Sequence, residues 1–397
     1  AQLRRTYGGL RHSQRAASDI VCVHFKTIYR GAYQRSIQNV KRREKMKKIL
    51  SLIMACLLIF AAVSCGNQGS SETDGTESGS YSDATSDTSD VIDESPVDVV
   101  EKQIIADRTF RHGFNVQSQT DGIPTPIGVL RTDETDTVSP LWNIGQWYCG
   151  AAYKDDAEKY DSYNILNAKH SLNGSKHTWI DASKKLSVDT ETGSIGMRLL
   201  GTKEYTHPRQ KNEGWPHLLL SYNILGEYKL SELKSVRFEM EFMLTKLTNA
   251  MSASEQDNNL HTAQFVFYCV LRNTNKLSKD YNSYLWFGLN LFDARYEIIP
   301  AYASQDSGKE INTGAFIYQP ISSAYCKTPT RLGETQSINY NLLPRMKDAF
   351  KTAQQARFLV NTKWEDLSLK PGNFGFEVTG TYDIAAEISA LNLYAGT

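Results

Sequence analysis

The chain has 397 residues, of which 40% are hydrophobic, and its 44 basic residues balance its 44 acidic ones. Without residues 1–64, which hold thirteen Lys and Arg and two acidic residues, 31 basic residues stand against 42 acidic ones, a net charge of −11. This acidic balance excludes the electrostatic footprint of a nucleic-acid-binding protein, and six cysteines in so long a chain exclude a small disulfide-held fold.

Residues 1–45 show no clear hydrophobic period and many scattered Arg and Lys. The run Lys-Arg-Arg-Glu-Lys before Met46 is what a purine-rich ribosome-binding site gives when it is translated in frame. We therefore expect Met46 to be the start of the protein and residues 1–45 to be untranslated sequence. The alternative is a genuine basic cytoplasmic extension.

Residues 46–64 have the three parts of an export signal. Lys47 and Lys48 give a charged start, and the apolar run 49–63 is shorter than the roughly 20 residues that cross a membrane as a helix. Small residues then lead to Cys65. The segment 61–65 resembles the lipobox of bacterial lipoproteins, although Ala62 stands where Leu is commonest.

That resemblance implies that Cys65 receives the lipid, becomes the mature N-terminus and anchors the chain to the membrane at the bacterial cell surface, with the folded domain extracellular. The alternative is an ordinary signal peptide that is cut near Ser64.

Residues 65–100 are rich in Ser, Thr, Gly and acidic residues, with nine acids between Glu72 and Asp98 and no Lys or Arg among them. Such a composition buries too little apolar surface to offset its ordering entropy. The pattern predicts a disordered, self-repelling tether between the anchor and a folded body.

Residues 101–397 have the size of one large domain, with no second linker and no repeat. Short segments with strand patterns alternate with Asn, Asp and Gly turns, which favours a mainly β fold, an antiparallel two-sheet sandwich of jelly-roll type. The predicted strands cover residues 185–188, 195–200, 236–242, 261–271, 283–292, 311–318, 375–378 and 386–394.

One helix is predicted over residues 341–356. Leu343, Met346, Phe350 and Ala353 share one face, and Pro344 falls in the first turn, where its missing N–H costs nothing. We expect this helix to cover one edge or end of the sandwich.

Strand alternation selects the candidate binding residues. On 284–291, one face carries Tyr284, Trp286, Gly288 and Asn290, whereas the other is uniformly apolar. On the preceding strand, Gln264 and Tyr268 have the matching period, so neighbouring strands would place both sets in one groove; the alternative is a second buried layer.

Asp293 and Arg295 follow two residues apart, and two interpretations stay open. They form an ion pair, or they offer a carboxylate and a fork of donors to a ligand. His217, at the start of an apolar run, is either a general base or a structural histidine.

Other features favour plain structural roles. Trp179, Trp215 and Trp364 are expected in the core, and the segment around Asp306, Gly308 and Lys309 is expected to form a hairpin turn rather than a calcium loop. Cys149, Cys269 and Cys326 allow at most one disulfide and are expected to be small buried side chains. No metal-binding or cofactor motif is present, so we predict neither.

Taken with the stretches GWPHLLL, YLWFGLNLFDARY and EISALNLY, the strand rhythm over 160–395 resembles that of secreted jelly-roll domains that bind or cleave polysaccharide. The resemblance implies a polysaccharide or oligosaccharide ligand. The residues themselves leave three functions open: a glycan-binding surface lipoprotein, an enzyme that degrades polysaccharide on the same fold, and an adhesion or scaffold protein without a sugar site.

The binding function would use the residues Gln264, Tyr268, Tyr284, Trp286, Asn290, Asp293 and Arg295. A hydrolase needs two carboxylates, and the first pair to examine is Asp293 with Glu377. A lyase needs a base such as His217 or Tyr268, with Arg295 to neutralise a uronate. The pattern does not fix the oligomeric state.

Overall fold

The computed structural model describes residues 99–120, 124–307 and 312–397. The predicted signal segment, Cys65 and nearly all of the tether therefore lie outside the described residues. The described residues form a two-sheet sandwich with few helices, which confirms the predicted fold class.

The strands, in chain order, are β1 (Glu101–Gln103), β2 (Phe114–Gln117), β3 (Pro126–Leu130), β4 (Trp142–Gly145), β5 (Lys169–Asn173), β6 (Lys176–Ile180), β7 (Lys184–Asp189), β8 (Ile195–Leu200), β9 (His217–Ser221), β10 (Tyr228–Lys229), β11 (Ser235–Asn249), β12 (Ala263–Asn273), β13 (Tyr284–Asp293), β14 (Tyr302–Gln305), β15 (Phe316–Gln319), β16 (Thr335–Asn341), β17 (Leu367–Lys370), β18 (Asn373–Val378) and β19 (Tyr382–Gly396). The α-helices are α1 (Ala157–Asp161), α2 (Gly201–Glu204) and α3 (Leu343–Gln355).

The first sheet has eight strands in the order β16-β11-β19-β8-β7-β6-β5, with β1 paired to β19. The second sheet has eleven strands along the path β14-β15-β13-β12-β18-β9-β4-β2-β3, with β10 and β17 joined at its side. Most neighbours are antiparallel, as predicted, but β2 pairs with β4 and β13 pairs with β15 in parallel.

The core lies between the two sheets and is rich in phenylalanine. Phe238 of the first sheet and Phe267 of the second have ring centroids 4.2 Å apart, and Phe242 meets Phe265 at 5.2 Å. On β12 the core-facing positions are all buried, whereas the other face carries half-buried Gln264, Tyr268 and Arg272 together with buried Val266 and Val270, because successive side chains of a strand point to opposite faces. One face of β12 therefore packs in the core, and the other forms the outer face of the second sheet.

Helix α3 covers the sandwich as predicted. Its buried residues are Leu343, Met346, Ala349, Phe350 and Ala353, and Pro344 lies in its first turn. Phe350 packs on Trp364 with a centroid distance of 6.1 Å. Among the described helices, none has the length and apolar character needed to cross a membrane.

The three described cysteines, Cys149, Cys269 and Cys326, are buried free thiols, so none of them forms a disulfide. Trp179 is buried, as expected for a core residue. Trp215 and Trp364 are only half-buried.

Candidate functional site

Four neighbouring strands of the second sheet align a row of polar side chains on its outer face. In the register of these strands His217 of β9 pairs with Glu377 of β18, Glu377 with Gln264 of β12, and Gln264 with Asp293 of β13. Directly opposite residues point to the same side of a sheet, and strands lie about 4.8 Å apart, so the row spans roughly 14 Å.

Glu377 presents a partly open carboxylate in this row, with 20% of its side chain exposed. Trp215 donates its indole N–H to Oε2 of Glu377 at 3.1 Å. Nε2 of His217 lies 3.6 Å from the same oxygen. The carboxylate is thus oriented by an indole and lies beside an imidazole on the outer face of the sheet.

His217 is buried, with 4% of its surface exposed, and aromatic rings surround it. Trp215 stacks on it with centroids 5.8 Å apart, and Trp147 meets it edge to face at 5.9 Å. Within the described part of the chain, its buried Nδ1 has no hydrogen-bond partner. His217 is therefore closely packed among aromatic rings, with very little of its own surface open to solvent.

Tyr268 lies at the other end of the face. Its hydroxyl accepts a hydrogen bond from Nε2 of Gln319 at 2.7 Å, and its ring meets Trp286 edge to face at 5.8 Å. Burial raises the pKa of the Tyr268 phenol well above its usual value, and the nearby carboxylates of Glu377 and Asp306 add to the rise. A phenol with so high a pKa stays protonated, so it suits hydrogen bonding and stacking better than proton abstraction.

Trp286 and Tyr284 continue the surface along β13, and both are half-buried. Their rings meet edge to face at 5.8 Å, and the Trp286 indole donates to Oγ1 of Thr313 at 3.3 Å. We call Trp147, Trp215, His217, Tyr268, Trp286 and Glu377 together the aromatic face.

Asp293 and Arg295 form the ion pair that the sequence left as one of two interpretations. Nη2 of Arg295 donates to Oδ2 of Asp293 at 2.6 Å, and Nε donates to Oδ1 at 2.9 Å. Thr262 and Gln264 donate to the same carboxylate, each at 2.7 Å. Both carboxylate oxygens are therefore engaged, and the side chain of Asp293 is 1% exposed.

The electrostatics agree with that geometry. Burial opposes the charged form of Asp293, but the hydrogen bonds and charge of Arg295 outweigh it and lower the pKa of the Asp293 carboxyl. The same partnership raises the pKa of the Arg295 guanidinium, which is thereby neutralised by its neighbour rather than offered to a uronate.

The structure brings most of the predicted binding residues onto one face. Half-buried Gln264, Tyr268, Tyr284 and Trp286 share it with buried Asn290, whose Oδ1 has no hydrogen-bond partner among the described residues. Burial of the whole predicted set would favour a scaffold without a sugar site, but Gln264, Tyr268, Tyr284, Trp286 and Arg295 are only half-buried.

Sequence reasoning missed two rings of the aromatic face, Trp147 and Trp215, and Tyr148 beside them. The only hint in the sequence was a glycine near each ring, Gly145 and Gly214. The structure shows why glycine is needed there: a Cβ on Gly145 would lie 3.0 Å from the Trp147 ring, and one on Gly214 would lie 2.1 Å from Tyr148. Trp215 was expected in the core, but its indole N–H instead serves a carboxylate on the outer face.

The turn around Asp306 joins β14 to β15 as a hairpin, and Gly308 and Lys309 lie outside the described residues. Oδ2 of Asp306 accepts hydrogen bonds from the backbone N–H and the hydroxyl of Thr313. Among the described residues, no group of three or more His, Cys, Asp or Glu side chains is placed to hold a metal ion.

Neither a protein-family model nor a curated protein matches the chain. Among solved structures, it is similar to a native family 12 xyloglucanase from Bacillus licheniformis, with 13% identity over 58% of this chain and 98% of that one, at a TM-score of 0.36. The endoglucanase cel12A from Rhodothermus marinus gives 12% identity over 58% and 96%, at a TM-score of 0.32.

The xyloglucanase domain of NopAA from Sinorhizobium fredii, solved in complex with cellobiose, gives 9% identity over 58% of this chain and 95% of that one, at a TM-score of 0.29. At this level of likeness, the matches establish neither a family nor a function for this chain.

Proposed function

We propose that the aromatic face is a glycan-binding surface and that the protein is a non-catalytic glycan-binding lipoprotein. The observation that carries the proposal is the set of half-buried rings on or beside the outer face of the second sheet, Trp147, Trp215, Tyr268 and Trp286, together with the partly open carboxylate of Glu377, which Trp215 contacts. The CH face of a sugar packs on an aromatic ring, while its hydroxyls need a polar partner, and this face offers both.

The carboxylates favour binding over hydrolysis. A glycoside hydrolase needs two carboxyl groups that face the scissile bond, about 5 to 10 Å apart depending on the mechanism. Of the pair selected from the sequence, Glu377 is partly open, whereas Asp293 is buried and saturated by Arg295, Thr262 and Gln264.

A second function, hydrolysis, has one specific observation in its favour. Burial raises the pKa of the Tyr268 phenol, and the charges of Glu377 on β18 and of Asp306 in the turn after β14 add to the rise. These are two carboxylates whose charges act on one ring of the aromatic face, and they are the pair to substitute in a test for hydrolysis.

A glycan array followed by calorimetry on the bound oligosaccharides tests the binding function. Trp215→Ala should weaken binding at least tenfold, about 1.4 kcal/mol, because it removes both a ring and the hydrogen bond that orients Glu377. Trp364→Ala is the matched control, since this half-buried Trp packs beside Phe350 instead. Binding of no glycan, or equal losses in the two variants, would contradict the proposal.

Product analysis separates the two functions. Incubation of each bound polysaccharide with the protein should release no shorter products if the face only binds. Release of products that stops in both Glu377→Gln and Asp306→Asn would establish the hydrolase instead.

The location is part of the proposal. A lipid at Cys65 and the acidic segment after it would hold the glycan-binding body outside the cell, and the lipobox-like sequence supports this arrangement. Metabolic labelling with an alkyne fatty acid should mark the protein in bacteria and fail to mark Cys65→Ser. An unlabelled cytosolic protein that keeps residues 46–64 would contradict it.

A further inference from the structure

The turn that follows β4, residues Trp147 to Gly150, carries two rings that flank His217, those of Trp147 and Tyr148. Its backbone is held in an unusual shape, because Tyr148 has a φ of 62° and Gly150 a φ of 72°. Non-glycine residues adopt this left-handed conformation only where the surroundings impose it. The N–H of Tyr148 donates to the carbonyl of Gln119 at 2.8 Å, and the carbonyl of Trp147 accepts from the N–H of His217 at 3.0 Å.

The buried carboxylate of Glu204, which follows a strand of the first sheet, holds this turn by a hydrogen bond to its backbone. Glu204 ends helix α2, which directly follows β8 of the first sheet, and only 3% of it is exposed. Its Oε2 accepts the backbone N–H of Gly150 at 2.5 Å, and its Oε1 accepts the hydroxyl of Ser183. The thiol of Cys149 then donates to the carbonyl of His217 at 3.3 Å, so the turn and β9 are tied together.

A buried ammonium group acts on the Glu204 carboxyl and pairs with a second acid, Asp181. Lys184 is 0% exposed, and its Nζ lies 2.8 Å from Oδ2 of Asp181 and donates to the carbonyl of Tyr163 at 2.5 Å. Burial raises the pKa of the Glu204 carboxyl, while Lys184 and the Gly150 N–H oppose that rise. Buried ions of this kind are expensive, and apolar residues of similar volume often give equal or greater stability.

We propose that Glu204 is a positioning residue for the aromatic face, because its bond to the Gly150 N–H fixes the turn that places Trp147 and Tyr148 beside His217. The consequence for glycan affinity rests on the proposed function. The consequence for the order of the turn does not depend on the proposed function. An experiment can therefore contradict one proposal without contradicting the other.

The test compares variants of one carboxylate. Glu204→Leu removes both hydrogen bonds, whereas Ser183→Ala removes only the bond that does not reach the turn. Glu204→Gln keeps an acceptor for Gly150 and can donate to the Ser183 hydroxyl instead, so it should rescue. Glu204→Asp keeps the charge but shortens the side chain by one methylene, so the carboxylate no longer reaches the Gly150 N–H. This variant replaces Glu204→Leu in the test if Glu204→Leu does not fold.

Hydrogen exchange of the 147–150 amides and calorimetric titration with a glycan identified on the array are the two measurements. Glu204→Leu or Glu204→Asp should raise exchange in 147–150 at least tenfold and weaken glycan binding about tenfold, whereas Ser183→Ala and Glu204→Gln should change each less than threefold. Unchanged exchange in 147–150, or equal effects in Ser183→Ala, would overturn the proposal. If the wild type binds no glycan, the proposed function fails, and the exchange data still decide whether Glu204 positions the turn.

Discussion

At the scale of single residues, the aromatic face depends on small residues as much as on rings. Gly288 of β13 lies opposite Tyr268 of β12, and a Cβ at Gly288 would lie 2.4 Å from Cε1 of that ring. The Tyr268 ring is itself held by Gln319. A glycine is therefore required because a ring crosses its strand, and the backbone angle at Gly288 is not the reason.

We predict that Gly288→Ala destabilises the protein by about 1–3 kcal/mol, the usual cost of overpacking, and weakens glycan binding because the Tyr268 ring must move. Urea unfolding and calorimetry would measure the two effects. In a double-mutant cycle, Gly288→Ala should cost much less unfolding free energy in the Tyr268→Ala background than in the wild type, because the ring that the added methyl would meet is gone. A cost that is the same in both backgrounds would show that the ring does not set the requirement.

The sequence predicted which side chains share a face but not what each one contacts. The period of two placed Gln264, Tyr268, Trp286 and Asn290 together, and the structure has them on one face. The contact of Trp215 with Glu377 joins residues 162 positions apart, and no local pattern carries that information. The ion pair of Asp293 could likewise be distinguished from a ligand site only once Thr262 and Gln264 were placed around it.

At the scale of elements, strand existence was easier to predict than strand length and partner. The alternation at residues 236–242 predicted a seven-residue strand, but β11 continues to Asn249 because β19 pairs with it along its whole length. The strand expected at 311–318 is Phe316–Gln319, since Asp306 binds Thr313 and keeps that segment in the turn. The parallel pairing of β13 with β15 leaves no mark in the period of either strand.

Helix α3 was predictable because its apolar residues repeat at helical spacing and all of them face the sandwich. We predict that Phe350→Ala costs about 3–5 kcal/mol of unfolding free energy, because it empties the space beside Trp364. Exposed Lys351 on the same helix gives the matched control, and Lys351→Ala should change stability by less than about 0.5 kcal/mol. Urea denaturation measures both, and similar midpoints would show that the helix does not cover the core.

At the scale of the whole molecule, three sets of interactions hold the two sheets and the aromatic face together. Phenylalanines join the sheets, as in the contact of Phe238 with Phe267. The buried ions around Lys184 support the turn at one end of the aromatic face, and the Asp293–Arg295 pair closes the other end of the polar row. Composition and period predicted the phenylalanine core, and the sequence left the Asp293–Arg295 pair as one of two interpretations. The further partners of the two ionic groups, such as Tyr163 for Lys184 and Thr262 for Asp293, come from distant segments and require the assembled fold.

The Asp293–Arg295 pair should make the stability of the whole domain depend on acid pH. Arg295 lowers the pKa of Asp293 although burial opposes this, so the folded-state pKa lies below the unfolded value of about 3.9. The ionised carboxylate therefore stabilises the fold above about pH 4, and this contribution is lost as the pH falls through the lower, folded-state pKa. Asp293→Asn should cost about 3–5 kcal/mol near pH 7, since it leaves Arg295 without its partner.

Urea unfolding of the wild type and Asp293→Asn at pH 7, 5 and 3 would measure this dependence. The difference in unfolding free energy between the two should be nearly constant from pH 7 to pH 5 and then shrink toward pH 3, because the wild-type carboxylate begins to bind a proton there. Exposed Glu365→Gln is the control, and it should follow the wild type at every pH. A difference that stays constant down to the acid-unfolding region would mean that Asp293 does not act through its charge, and that its hydrogen bonds alone hold the end of β13 in place.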